Sequence, residues 1–364
     1  VATLVDDPGG NLSIIAMQKI PSSKYSAKVH TSASGGALIG VNATKSIAQK
    51  KDAYDNVDRY VKATLGDNSN IDTSGEVLIN AKTNSMQSAY STGKYAGIIS
   101  VGHNPSEATA KGETTANIGT GVSLVARKLS VKATSKEENF AESFAGSGGI
   151  ISIQAASHAE TDLETDTTAS INNSGDGSIR VDVLNVSAKG VTEFNARADS
   201  INAAVVGYGG AKSLNEVDAD VDVSCGAVDI EAGEIIVRAV NESNKPKLKD
   251  NAYNVKSGSG GLIDVPAGRS FSIVEHDTDI TIGDNAEITQ LGDPWEPGEF
   301  NLEIVDDVDA FDQVKLDSGG LIPVTKAVSY IIVGQTDDEG SDIDEDTEGD
   351  DPNRSTITIG DATI

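Results

Sequence analysis

The stretch "GSGGIISIQA" (146–155) sets four small residues directly before an alternating apolar run. Variants recur as "GKYAGIISVG" (93–102), "GSGGLIDVPA" (258–267) and "DSGGLIPVTK" (317–326), with a looser form at "SASGGALIGV" (32–41). Marking the second small residue of each phrase gives Gly36, Gly97, Gly149, Gly210, Gly261 and Gly320, separated by 61, 52, 61, 51 and 59 residues. A second phrase falls between the marks, as in "IDTSGEVLINAKT" (71–83), "IGTGVSLVARKLSVKAT" (118–134), "INNSGDGSIRVDVLNVSAKG" (171–190) and "VDVSCGAVDIEAGEIIVRAVN" (221–241). Within 171–190, Ile179, Val181 and Val183 alternate, then Leu184, Val186 and Ala188 resume after a one-residue change of phase. Period two with a corner in it describes strands that turn.

Self-similarity on this scale signals a stacked array in which each unit buries its apolar face on its neighbours. β-Branched alternation and scarce Leu exclude helical arrays, and no propeller-blade signature is present. The expectation is an all-β fold, a parallel β-solenoid built from repeats of about 50–60 residues, with Val, Ile, Leu and Ala pointing into a narrow core. At ~20 residues per turn, each repeat would supply two to three turns. Gly148 and Gly149 then mark a sharp turn or a close approach of two backbones, after which Ile150, Ile151 and Ile153 enter the core. Ile151, Ile153, Val181, Val186, Ile230 and Val237 are expected buried, and Asp182, Asp229 and Glu231 exposed. No helix follows the glycines and no GxxxxGK[ST] occurs, so a phosphate cradle is disfavoured.

Composition agrees with a thin interior. Of 364 residues, 38% are apolar and 4% aromatic, with 37 glycines, so small and β-branched side chains must fill the core. The net charge of −28 and pI near 4.3 argue against nucleic acid and anionic lipid, which need a basic surface. They suit a soluble, self-repelling extracellular surface or one that collects cations. Cys225 is the only cysteine, so no intramolecular disulfide forms and no Cys/His cluster suggests zinc. No apolar run approaches the ~18 residues of a membrane span. The chain opens at "VATLVDD" and stops at "GDATI", in mid-pattern, and is read as part of something longer.

Residues 1–265 read as the repeats. Residues 266–364 read as a continuing or variant section, with a surface turn around Trp295 and an acidic insertion at 337–351. Ala53, Tyr54, Val57, Tyr60 and Val61 fall at helical spacing, so 45–63 is a short amphipathic helix, a long strand or a loop. "NESNKPKLKDN" (241–251) reads as a solvated basic insertion.

Candidate chemistry is sparse. The run 337–351 carries ten acidic groups in fifteen positions, and Asp342, Asp344 and Asp346 have the 1-3-5 spacing of a calcium loop, with Asp337 or Asp350 able to complete an oxygen shell. Thr347 at the sixth position and Asn353 at the twelfth depart from an EF-hand, so a solvated acidic insertion competes with a calcium site. Asp218, Asp220 and Asp222 would project three carboxylates from one side of a strand. That pattern reads as an outward polar face over buried Ala219, Val221 and Val223, rather than as the clustered acids of a glycan-cutting enzyme. His30, His103, His158 and His276 are expected in loops or strand ends, and neither HExxH nor GxSxG occurs. No catalytic residue and no cofactor other than calcium is expected.

The phrases at 35–43, 96–101, 116–133, 148–155, 169–188, 219–239 and 260–265 resemble the repetitive regions of bacterial filamentous haemagglutinin-like and leukotoxin-type filamentous adhesins. The resemblance implies a right-handed parallel β-helix shaft, secreted and held on the bacterial cell surface. It implies a non-catalytic spacer or adhesive fibre whose partners are other segments of the same giant chain, neighbouring copies, or a host or cell-surface glycan or protein. The runner-up is a carbohydrate-active or carbohydrate-binding β-helix.

Overall fold

The computed structural model describes all residues except 1–2, 5–9, 21–23, 51–58, 173–176, 250–251, 293–297 and 335–352. The protein is all-β, with no helix among the described residues. Three strands run almost without interruption over Glu76–Ile118, Ser123–Ile171 and Ser178–Cys225. Every pairing between strands is parallel. Gly97 pairs with Gly149 at an offset of 52 residues, Leu124 with Ile179 at 55, and Ser178 with Asp229 at 51. The chain therefore lays six successive passes on one another, spanning roughly 3–65, 70–118, 123–171, 178–225, 229–282 and 287–359.

Each pass doubles back at the Gly-Gly phrase. In the third pass Ser147 and Ser152 hydroxyls lie 2.5 Å apart, Ser157 Oγ donates to Ser143 Oγ at 2.7 Å, Asn139 Nδ2 to the Asp162 carbonyl at 2.9 Å, and Ser135 meets Thr167 at 2.6 Å. Two facing walls thus run out and back with the arch near Gly149, and the pass starts at its far end from a corner around 119–123. Left-handed backbone falls at such closing corners, at Asn68 (φ 53°), Gly121 (φ 63°) and Asn285 (φ 60°). At the arch, glycine answers a close approach instead. A Cβ on Gly149 would lie 1.9 Å from the Gly97 carbonyl oxygen, and one on Gly261 1.8 Å from that of Ala204.

One repeat is therefore one turn, not two or three. The Ser-, Thr- and Ala-rich segments, in which apolar alternation is weak, are strands whose inward residues are mostly alanine, serine and threonine. The mark at Gly210 is also out of column. Gly149 stacks on Ala204, whereas Gly210 pairs with Ala267, six positions along. Where a helix was one alternative, Ser46–Lys50 and Arg59–Leu65 are strands, and 51–58 lie outside the described residues. The basic stretch at 241–251 is not wholly solvated. Its strand continues to Lys245, and Asn241, Ser243 and Lys245 are buried. The strand Ile263–Ile282 runs through position 265 without a break.

Among the described residues the interior holds three apolar clusters, one of which, with Leu163, Phe194, Val217 and Val274, falls between the other two along the chain. Near the closing corners it is apolar, with Ile79, Leu129, Val131, Leu184, Val186, Ile230 and Val237 in one cluster. Toward the arch it narrows to alanine and hydroxyl side chains, where Ala108, Ala141, Ala159 and Ala196 pack together. Buried ion pairs cross this polar half. Lys50 binds Glu137, which also accepts from Ser85, and Lys245 Nζ sits 3.0 Å from Asp312. Burial pulls the Lys245 pKa down against the pull of Asp312. Such pairs cost desolvation and hold only because each charge is met.

Val181, Val186, Ile230 and Val237 are buried as expected, Asp182 and Asp229 are exposed, and Glu231 is half-exposed. Ile151 and Ile153 are not buried. They are 40% and 47% exposed, while Ser152 between them is fully enclosed. The inward strand face at the arch carries Ser100, Ser152 and Asp264, because walls this close have no room for isoleucine. The alternation gave the right period and the wrong phase.

Two measurements check this register. Val186→Asp should cost several kcal/mol by placing an unpaired charge in a dry stack, whereas Ile153→Asp should leave the unfolding midpoint in urea nearly unchanged. Gly149→Ala should cost about 1–3 kcal/mol through overpacking, while Gly148→Ala, whose added Cβ would meet only the Ala203 oxygen at 3.4 Å, should be tolerated.

Candidate functional site

In-register stacking turns a row of carboxylates on one strand into a two-dimensional face. Ala219, Val221 and Val223 are buried, so Asp218, Asp220 and Asp222 point outward, as the alternation required. Their columns extend the acid across passes. Glu164, Asp218 and Glu275 stack in one; Asp166, Asp220 and Asp277 in the next; Asp222 and Asp279 in the third; Asp162 and Glu216 in a fourth. Neighbouring strands lie about 4.8 Å apart, so Asp218 and Asp220 each have like charges above, below and two residues along.

The consequence is electrostatic. Partial burial first, then Asp218, Asp166 and Asp277, push the Asp220 carboxyl up to about 7. Burial with Glu275 and Glu164 raises Asp218 to about 6, and burial with Glu160 and Asp162 raises Glu216 to about 7. Asp222 is raised by burial and by Asp279. Cations relieve the edges of the face, where Arg354 lies 3.3 Å from Asp277 and 3.7 Å from Asp279. Among the described residues, no group of three or more His, Cys, Asp or Glu side chains is placed to hold a metal ion. The calcium candidates Asp342, Asp344 and Asp346 lie outside the described residues, as do Asp337 and Asp350.

All four histidines stand within strands rather than in loops. His30 packs edge-on against Tyr90, centroids 4.6 Å apart. His103 and His158 line a groove of about 440 Å³ with Lys45, Glu107 and Glu160. The groove opens where both passes carry irregularities, between Gly102 and Asn104 and between Gln154 and Ser157. Burial, with Lys212 and His103, drives the His158 pKa down to about 4. Its ring is thus neutral at pH 7, and its 3.4 Å approach to Glu160 carries no ion pair. Lys45 reaches Glu107 at 3.4 Å.

A constellation invisible in the sequence lies inside. Ser243 Oγ is 2.6 Å from His276 Nε2, and His276 Nδ1 is 2.5 Å from Asp306 Oδ1. The order serine–imidazole–carboxylate matches that of a nucleophile, its base and the base's orienting acid. Burial would raise the Asp306 carboxyl, but its bonds with His276 and Ser355 outweigh that and hold it low. Ser243 and His276 are each only 2% exposed, and the Ser243 hydroxyl also meets Thr192 at 2.5 Å. A carbonyl substrate has no approach to that oxygen. The trio instead pins the facing walls of the fifth pass to the sixth. Three residues from three segments share no local motif, so only the pairing of passes brings them together. Cys225 is also enclosed, its thiol pushed up to about 12 by burial, so it has no thiolate at neutral pH.

No helix of the described residues is long and apolar enough to cross a membrane. No family model, curated protein or solved structure matches the chain.

The acidic face makes a signed prediction. A carboxyl held above its unfolded value keeps its proton longer when folded, so its contribution to stability declines as pH rises from about 4 toward 7. Asp220→Asn removes that decline. It should stabilise the protein at pH 8 by about 1 kcal/mol, allowing for solvent screening at a half-exposed site, and leave it unchanged below pH 4. Urea unfolding of both proteins at the two pH values reads the difference directly.

Proposed function

We propose that this chain is a shaft segment, a stretch of right-handed parallel β-solenoid that serves as a non-catalytic spacer or adhesive fibre in a very large secreted or surface-exposed bacterial protein. The observation that carries the reading is pass-on-pass register. Each added pass buries the same columns as the one before, so the assembly lengthens without changing its cross-section. Six passes at about 4.8 Å each span only ~29 Å along the stacking direction, so a long shaft requires many more. On this reading the partners are further segments of the same chain, neighbouring copies, or a host or cell-surface glycan or protein, at an extracellular location. The acidic columns suit that setting as a repelling, hydrated flank.

A carbohydrate-active β-helix is the competing reading, favoured by carboxyls raised to about 6–7 on one face. Incubation with neutral and acidic polysaccharides, followed by a reducing-end assay, separates the two. The shaft reading expects no release, and release that Asp220→Asn abolishes would replace it with the enzyme.

The repeat logic has its own test. Deleting residues 123–177 removes one whole pass and joins equivalent positions, so the product should fold with the same β spectrum and reduced stability. Deleting only 123–149 puts the arch against the wrong wall and should yield aggregate. Equal failure of both deletions would argue for a single indivisible core.

A further inference from the structure

The residues that left the core at the arch form a surface of their own. Ile39, Ile99, Ile151, Val206, Ile263 and Ile322 stand in one column, one from each pass. Beside it run Leu38, Ile98, Ile150, Val205, Leu262 and Leu321, and on its other side Val41, Val101, Ile153, Tyr208, Val265 and Val324. Fifteen of these eighteen are exposed, from 38% at Ile263 to 78% at Val41 and Leu321. Together they expose on the order of 1,000 Å² of apolar surface, beyond the ~300–600 Å² of the largest patch on an ordinary monomer.

We infer that this aliphatic ridge is a self-association surface, and that its occupant is the ridge of a second copy of this chain. Three observations favour a second copy over another partner. The first is charge. In a chain of net charge −28, the spans 36–41, 96–101, 148–153, 203–208, 260–265 and 319–324 carry no charged residue except the inward Asp264. Two copies repel each other across most of their surface, and this stripe is a line along which they meet without like charges opposed. The second is pitch. The apolar columns repeat at the strand spacing of about 4.8 Å, and an identical ridge matches that spacing over all six passes, as paired β-sheets interdigitate in a dry zipper. The third is area, since the exposed apolar surface exceeds the ~800 Å² per partner of a stable interface. A ridge-to-ridge contact is isologous and closes as a dimer.

The test is the association state of the intact chain by sedimentation equilibrium up to about 100 μM, where any contact of micromolar strength is populated. The expected result is a dimer that tightens as sodium chloride rises from about 0.05 M to about 0.5 M, because salt screens the repulsion between the acidic flanks. Ile151→Asp should weaken dimerisation at least about 30-fold, by placing a charge in the contact, with its β spectrum retained and its melting curve unchanged at concentrations low enough for both proteins to be monomeric. The milder pair Ile151→Thr with Val206→Thr, which keeps β-branched side chains, should weaken it in the same direction and guards against misfolding of the charged variant. Asp182→Lys, on a different face, should leave the dimer intact. Three outcomes would overturn the inference: a wild-type monomer throughout the range, association that the ridge variants leave unchanged (end-to-end stacking of the outermost passes would behave so), or a monomer whose ridge instead binds vesicles of zwitterionic phosphatidylcholine.

Discussion

Residue-by-residue parallel pairing runs along Glu76–Ile118 against the pass that follows it, broken at the one irregularity between Gly102 and Asn104. Hydrogen bonds of that extent leave no freedom to slip, because a shift of one residue would turn every inward side chain outward. Each pass therefore imposes its pattern of inside and outside on the next. Columns of like residues follow from this constraint, whether buried valines, half-buried carboxylates or exposed isoleucines. The energetic character of a position is set by its column more than by its neighbours in sequence.

The same constraint explains why one fold carries two kinds of interior. Where the walls stand apart, near the closing corners, branched apolar side chains fill the gap. Where they converge on the arch, alanines and hydroxyls do so, and polar contacts such as Ser143–Ser157 replace burial of hydrocarbon. A hydroxyl meeting a hydroxyl contributes only about 1 kcal/mol net, but an unmet one would cost more. The narrow half thus secures alignment of the walls, and the wide half supplies most of the driving force.

The all-β character and the repeat length were legible in the sequence because both rest on period-two alternation and on glycine at a fixed place. The buried set at 179–188 and 230–237 was legible for the same reason. Phase at the arch was not. "GGIIS" offers two isoleucines and a serine, and hydropathy puts the isoleucines inside, whereas the spacing of the walls puts Ser152 there. The length of one pass was not legible, because Ser- and Thr-rich strands such as 157–170 carry only a weak apolar alternation and general solenoid proportions of ~20 residues per turn do not hold here. Of the candidate sites, the Asp218–Asp222 row was visible along the chain, but its columns with Glu164, Glu275 and Asp277 exist only between passes. The Ser243–His276–Asp306 trio left no trace in sequence for the same reason.

The stacking also fixes how the molecule would bear load. Bonds between passes lie roughly along the stacking direction, so tension applied at the two ends bears on the outermost pass first rather than on all passes together. That pass would peel from its neighbour as a unit, releasing some fifty residues and roughly 170 Å of chain at ~3.4 Å per residue, while the remaining passes kept their register. Stretching would then proceed in discrete yielding steps of nearly equal length, each reversible while a neighbouring pass survives as a template. A stack of passes built this way would lengthen under strain many times over before its covalent chain was taut, dissipating work at each step.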